Sequence, residues 1–368
     1  MKNFILTICF SLLPFISQSQ TSSINLIENL DNNHSVSLST FVKDVEYIPL
    51  ETTDECLLSN ELQVFVGNND IIVGDQKAQK FFRFDRKGKF LNNIGKRGEG
   101  PEEYIYSISF YADNEYVYII DANSKQLNKY SHEGKFIEKI PTDLVSWSLE
   151  KVGDNFICYN FLYNRIGGKN NVYELFLLDS KGKQIKKQPT TVTSAKDNAI
   201  LFTFPFFYRY DGKVFYKNAV TEFVYHIDNN LNMTPAYRII GGGNNNGKED
   251  YKDIQKYAKA MSVRDIFESN KLIIITYAFK NRLNYFIYDK SLKKGYNAVE
   301  GDNPGFKDDI MNGLTFEPLI GSRSNSNCLV SLKEAANVIE NAKDLKEKEN
   351  IKSLDFDDNP VLVIAHLK

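Results

Sequence analysis

Lys80–Tyr104, KFFRFDRKGKFLNNIGKRGEGPEEY, places apolar side chains on alternate positions at Phe82 and Phe84 and breaks at Asp85-Arg86-Lys87-Gly88. It then resumes through Phe90 and Ile94 before a Gly-rich, acidic segment. Alternation bounded by an Asp/Gly turn is the pattern of a β-hairpin followed by a connector. The pattern recurs. Tyr130-Ser131-His132-Glu133-Gly134-Lys135-Phe136 and Leu178-Asp179-Ser180-Lys181-Gly182-Lys183 echo it, and Ile227-Asp228-Asn229-Asn230 and Tyr288-Asp289-Lys290 do so more loosely. From Asp85 through Ser131, Asp179 and Asp228 to Asp289 the steps are 46, 48, 49 and 61 residues. A degenerate repeat of about 40–50 residues has the length of a β-propeller blade.

Outward from that hairpin the chain divides into units of four short strands. Unit one pairs Leu62–Val66 with Ile71–Val73, then Phe81–Phe84 with Phe90–Ile94. Units two to five repeat the arrangement, beginning at Ile105, Trp147, Phe204 and Val263. The remaining C-terminal strands, Phe316–Ile320, Cys328–Leu332 and Pro360–Leu367, lack a fourth member, and the isolated N-terminal strand Val45–Glu51 supplies it. Joining head to tail removes an open sheet edge that would otherwise invite aggregation. The expected fold is therefore all-β, a six-bladed propeller spanning residues 41–368 and closed by pairing of its N- and C-terminal strands.

Connector lengths distinguish the two faces of such a ring. Turns inside each hairpin are tight and rich in Asp, Asn and Gly, as two- to four-residue hairpins require. Connectors on the opposite face are long, including Gly95–Tyr104, Phe161–Val172 and Gly241–Met261. Gly247–Met261 and Lys333–Leu354 have apolar residues at helical spacing and read as short helical insertions on that face. Long loops on a rigid frame commonly carry binding residues. On that ground alone the candidate ligand-binding residues are Arg97, Glu99, Glu102, Glu103, Arg165, Lys169, Lys248 and Tyr251.

Residues 1–20 have one Lys, an apolar run from Phe4 to Ile16 and small or polar residues at Ser17–Gln20. This is the layout of a cleaved signal peptide, with an apolar run too short to span a bilayer. Residues 21–40 are polar and read as an exposed leader segment. The mature chain is expected in the periplasm or outside the cell, with no transmembrane segment, and Cys9 lies too early in the leader to suggest a lipid anchor. Cys56, Cys158 and Cys328 are odd in number and match no metal-binding spacing, so they read as buried free thiols. A net charge of −2 and the lack of a basic run argue against nucleic acid as partner.

The motif Phe84-Asp85-x-x-Gly88-Lys89-Phe90-Leu91, then Ile94-Gly95-x-x-Gly98-x-Gly100-Pro101-x-Glu103-Tyr104, resembles the secreted bacterial six-bladed β-propeller proteins related to NHL repeats, a family largely without assigned function. The ending Asp357-Asp358-Asn359-Pro360-Val361-Leu362-Val363 supports the resemblance, which runs from about Val45 to the C-terminus. Blade two has Ser131 in place of Asp, and blades four and five lack the usual Gly. The resemblance implies no catalytic residues.

Chemical signatures are sparse. Gly98-Glu99-Gly100-Pro101-Glu102-Glu103 has glycines that could approach an anion, but its carboxylates and the missing helix start favour a structural turn. The histidines His34, His132, His226 and His366 are scattered, and no Gly-x-Ser-x-Gly elbow occurs. Asp302, Asp308 and Asp309 share one loop without calcium-loop spacing and read as solvated. The sequence thus points to an exported, non-catalytic module that binds a small polar ligand, glycan or protein at the long-loop face near the central channel, without cofactor or metal. The alternative is a propeller lyase or hydrolase acting on glycans or peptides.

Overall fold

The structure, a computed structural model, describes residues 22–107, 109–146, 148–160, 173–189, 205–218, 221–243, 261–324, 327–346 and 348–368. Blade one orders Leu62–Val66, Asp70–Asp75, Lys80–Asp85 and Phe90–Asn93 as antiparallel neighbours. Blades two to five repeat that order, their first strands being Phe110–Ala112, Leu149–Val152, Phe206–Tyr210 and Ser262–Glu268. Blade six combines Cys328–Lys333, Val361–Leu367 and Val42–Pro49. Register runs from Val361↔Pro49 to Leu367↔Val42, so the two ends of the chain close the ring by an antiparallel pair.

Alternation of side chains explains why the blades pack as a ring. In blade one, Ile71, Val73, Phe82 and Phe84 join a cluster with Leu362 and Ile364 of blade six, whereas Ile72 and Phe81 join Phe110 and Ile119 of blade two. Each blade is therefore apolar on both faces. Among the described residues six such clusters form, one between each neighbouring pair. Cys56, Cys158 and Cys328 are buried in this packing as thiols outside any disulfide, and burial pushes the Cys56 and Cys158 thiols up to about 12.

The repeated turn has a common cause. Asp85 accepts hydrogen bonds from the Lys87 and Lys89 amides at 2.8 and 3.0 Å, and Asp179, Asp228 and Asp289 cap their own turns in the same way. Gly88 and Gly182 hold φ of 85° and 80° in these turns. In blades four and five, where that Gly is missing, Leu231 and Lys293 take the left-handed conformation with φ of 57° and 54°.

Three sequence expectations change. The segment 21–40 is not an exposed leader. Ser22–Asn25 and Asn33–Ser35 add parallel outer strands to blades four and five, burying Ile24, Leu26, Val36 and Leu38. Its apolar residues are few but lie where the outer strands need cover. Phe316–Ile320 is not an inner strand. Phe316 pairs with Phe306 in an isolated bridge, Pro318 has no amide to donate, and Gly321 turns with φ of 75°. Arg323–Ser324 then pairs in parallel with Phe65–Val66 of blade one, leaving blade six with three strands. The helix expected over 333–354 is instead an α-helix at Ala335–Asn341 and a 3-10 turn at Lys348–Ile351, because the chain folds back where the Lys346 amide donates to the Met311 carbonyl at 2.8 Å. Residues 247–260, the other expected helix, lie outside the described residues.

A Cβ at Gly182 would stand 1.9 Å from the Pro141 carbonyl oxygen, whereas one at Gly153, also at positive φ, would meet nothing within 4 Å. Gly153→Ala should cost about 1 kcal/mol from backbone conformation alone. Gly182→Ala should cost at least ~2 kcal/mol more, because a backbone atom of blade two must move. Denaturant unfolding of both variants checks this, and equal losses would contradict the inter-blade fit.

Candidate functional site

The strands nearest the axis enclose a cavity of about 460 Å³, lined in part by Phe65 of blade one, Tyr111 of blade two, Glu150 of blade three, Arg209 of blade four and Asp265 of blade five. Its rim includes Asp211, Ser269 and Asn270, which belong to first turns. It therefore opens on the short-turn side. Blade six contributes the segment that left its inner position. Arg323 from that segment reaches across the axis, its guanidinium donating to the Phe207 carbonyl of blade four and standing 3.9 Å from Asp265 of blade five.

Charged groups enter this wall as pairs. Arg209 donates through Nε to Glu150 Oε1 at 2.8 Å and also bonds the Lys151 carbonyl. Burial works against the charge on Arg209, but its neighbours, Glu150 first among them, together more than offset it. Lys290 Nζ lies 2.7 Å from Glu268 Oε1, and the Tyr208 hydroxyl donates to Glu268 Oε2 at 2.9 Å. Asp265 accepts from the Gly321 and Ile266 amides at 2.7 and 2.9 Å, yet burial raises its pKa against the pull of Arg323. Tyr210 sets its ring under the Lys290 ammonium, 4.0 Å from the centroid, and its hydroxyl donates to Asn270 at 3.0 Å.

The residues singled out from sequence lie elsewhere. Arg97, Glu99, Glu102 and Glu103 share one turn between blades one and two. Its carboxylate Glu103 accepts from the Gly100 amide at 2.8 Å, its Glu102 carbonyl accepts from the Tyr130 hydroxyl at 2.6 Å, and Arg97 donates to the Ile105 carbonyl at 3.2 Å. None of the four lines the axial cavity. Arg165, Lys169, Lys248 and Tyr251 lie outside the described residues. The acidic loop is not solvated throughout: Asp308 is buried and accepts from the Tyr47 hydroxyl at 2.9 Å. The cavity residues were missed because loop length drew attention to the other face. The available signal was Glu150, Arg209 and Asp265, charges set within inner strands that are otherwise mainly apolar or aromatic. Among the described residues no group of three or more His, Cys, Asp or Glu side chains is gathered so as to hold a metal ion.

Residues 21–366 match the domain of unknown function DUF4934. The chain belongs to the DUF4934 family. No curated protein matches this DUF4934 chain. A Bacteroides fragilis NCTC 9343 protein provisionally named as exported is similar in structure, with TM-score 0.72 at 19% identity over 94% of this chain and 100% of its own. A DUF4221 family member from Bacteroides vulgatus ATCC 8482 gives TM-score 0.53 at 9% identity, over 89% and 97%. Both likenesses support the propeller fold. No helix of the DUF4934 chain among the described residues is long and apolar enough to cross a membrane.

Polar pairs also bridge blades around the DUF4934 ring on the short-turn side. His132 of blade two sets Nδ1 2.8 Å from Asp70 Oδ2 of blade one and Nε2 2.9 Å from the Asp113 carbonyl. Both partners accept, so only the imidazolium donates to each. Burial disfavours that charge, but the Asp70 bond and charge raise the His132 pKa overall. Burial likewise opposes ionised Asp70, yet His132 and Arg83, whose Nε lies 2.7 Å away, hold its carboxyl below the usual range. A raised His contributes stability below its unfolded value of 6.5 and loses it as pH rises through the folded one. A depressed Asp contributes above 3.8 and loses it as pH falls. The clasp should therefore be strongest between about pH 4 and 6.5. His132→Gln should lower the melting temperature most in that window, and the gap should narrow towards pH 8. A gap that widens with pH would contradict the assignment.

Proposed function

We propose that this chain is an exported propeller that binds a small polar ligand in its axial cavity and does not transform it. The observation that carries the reading is the cavity itself, where residues from all six blades converge on one open-mouthed space of small-molecule size. Its carboxylates are engaged with cations: Glu150 with Arg209 of the lining, and Glu268 with Lys290 just outside it. Such groups are placed to hold a ligand and are poorly placed to exchange protons with one. Export is supported by the signal-peptide layout of residues 1–20 and by the name of the Bacteroides fragilis relative. The destination we infer is the periplasm or the exterior. Tight antiparallel closure suits a binding frame, because cavity walls that do not reorganise lower the entropic cost of capture.

The test is a thermal-shift screen of the mature chain against small polar compounds, followed by calorimetry and mass spectrometry of each hit. A hit should bind without yielding product, and Tyr210→Ala or Arg323→Ala should weaken it at least ~10-fold, about 1.4 kcal/mol. Glu99→Ala and Glu102→Ala, on the long-loop side, should leave its affinity within ~2-fold. Product formation, or loss of affinity confined to the long-loop variants, would contradict the axial reading.

A further inference from the structure

We infer that the axial cavity accepts an uncharged polyhydroxylated ligand of saccharide type. The inference rests on the binding reading above and names the ligand class for that site.

The first ground is charge. Arg209 is matched by Glu150 at 2.8 Å, Glu268 by Lys290 at 2.7 Å, and Arg323 stands over Asp265 at 3.9 Å. The lining itself holds two cations, Arg209 and Arg323, and four carboxylates, and the balance is made by two lysines just outside it: Lys290 on Glu268, and Lys213 at 3.9 Å from Asp211. Asp211 lies at the rim with its side chain 69% exposed, so it is hydrated and contributes little field inside. A charged ligand would leave water for a site without a net counter-charge, and would lose more in desolvation than it recovers. A wholly apolar ligand would strip water from these same ion pairs. An uncharged ligand rich in hydroxyls avoids both costs.

The second ground is the kind of polar group offered. Guanidinium and carboxylate are planar and multivalent: Arg has five N–H donors and a carboxylate about four acceptor positions. The Arg209 and Arg323 side chains keep 42% and 30% exposure while paired, and both line the cavity. Vicinal hydroxyls present alternating donors and acceptors at a spacing that such groups can bridge. The exposed amide of Asn270 adds both kinds at the rim.

The third ground is the aromatic wall. Tyr111, Tyr210 and Phe267 are half-buried and line the cavity. One face of Tyr210 is taken by the Lys290 ammonium at 4.0 Å, and its hydroxyl is fixed on Asn270 at 3.0 Å. The ring is thus held rigid. Partly exposed, immobile rings offer apolar surface to the C–H face of a sugar at little entropic cost. At about 460 Å³ the space lies within the usual range for small-molecule sites.

The experiment is calorimetric titration of the mature chain with galactose, lactose and cellobiose as neutral probes, and with glucuronate, glucosamine and glycylglycine as charged ones, at about 50 and 300 mM NaCl. At least one neutral sugar should bind, with affinity changing less than ~2-fold between the two salt concentrations. Tyr210→Ala should weaken it at least ~10-fold, whereas Tyr210→Phe, which keeps the ring, should lose less than ~5-fold. Circular dichroism of both variants separates lost binding from lost folding. If no neutral sugar binds while a charged probe does so in a Tyr210-dependent, salt-sensitive way, the sugar inference falls and the axial site stands. If no probe binds in a Tyr210-dependent way, both fall.

Discussion

Val42–Pro49 lies antiparallel to Val361–Leu367 over a register that begins at Val361↔Pro49, and the rest of the ring depends on that pairing. Without it blade six would be a two-stranded ribbon with an exposed edge, a unit that is marginal by itself. The closure is reinforced on both sides. Asn359, just before the last strand, donates to the Glu51 carbonyl at 2.8 Å and the Cys56 carbonyl at 2.6 Å and accepts from the Leu58 amide at 2.9 Å. Tyr47, on the N-terminal strand, is held by Asp308, and burial beside that carboxylate raises its pKa well above the ordinary range. The segment before it, through Ser22–Asn25 and Asn33–Ser35, runs along the outer edges of blades four and five. Two of the six blades are thus strapped by the chain's first described residues.

Closure also fixes the cavity. Because the blades are held at set distances by apolar interfaces, charged residues of their inner strands meet across the gaps. Glu150 of blade three receives Arg209 of blade four, and Asp113 of blade two receives Lys151 of blade three at 2.9 Å. Arg323 depends on closure most directly, since its segment pairs with blade one while its side chain reaches blades four and five. Partly exposed pairs of this kind contribute little to stability, and their effect is to set the positions of the side chains they join. Here the Glu150–Arg209 pair forms part of the wall of the axial cavity.

Much of this architecture was legible in the chain. Asp85, Asp179, Asp228 and Asp289 mark the turns because each caps its own backbone, and that local chemistry survives divergence of everything around it. Alternating apolar runs gave the strands for the same reason. Segment 21–40 was misread because a single outer strand needs only a few apolar side chains, here Ile24 and Leu26 in one piece and Val36 and Leu38 in the other. Phe316–Ile320 was misread because alternation gives no hint that Pro318 and Gly321 divert the chain towards blade one. The cavity was not legible because it is assembled from residues far apart in the chain, such as Tyr111, Arg209 and Arg323. Their convergence is a property of the closed ring, which no local pattern records.

Hydrogen–deuterium exchange of the mature chain, followed by mass spectrometry through a denaturant series, tests the closure directly. Peptides covering 42–49 and 361–367 should be protected to the same degree and should lose protection together, in the transition that unfolds the blades. Early and separate exchange of 42–49, with 361–367 still protected, would show that the N-terminal strand does not close the ring.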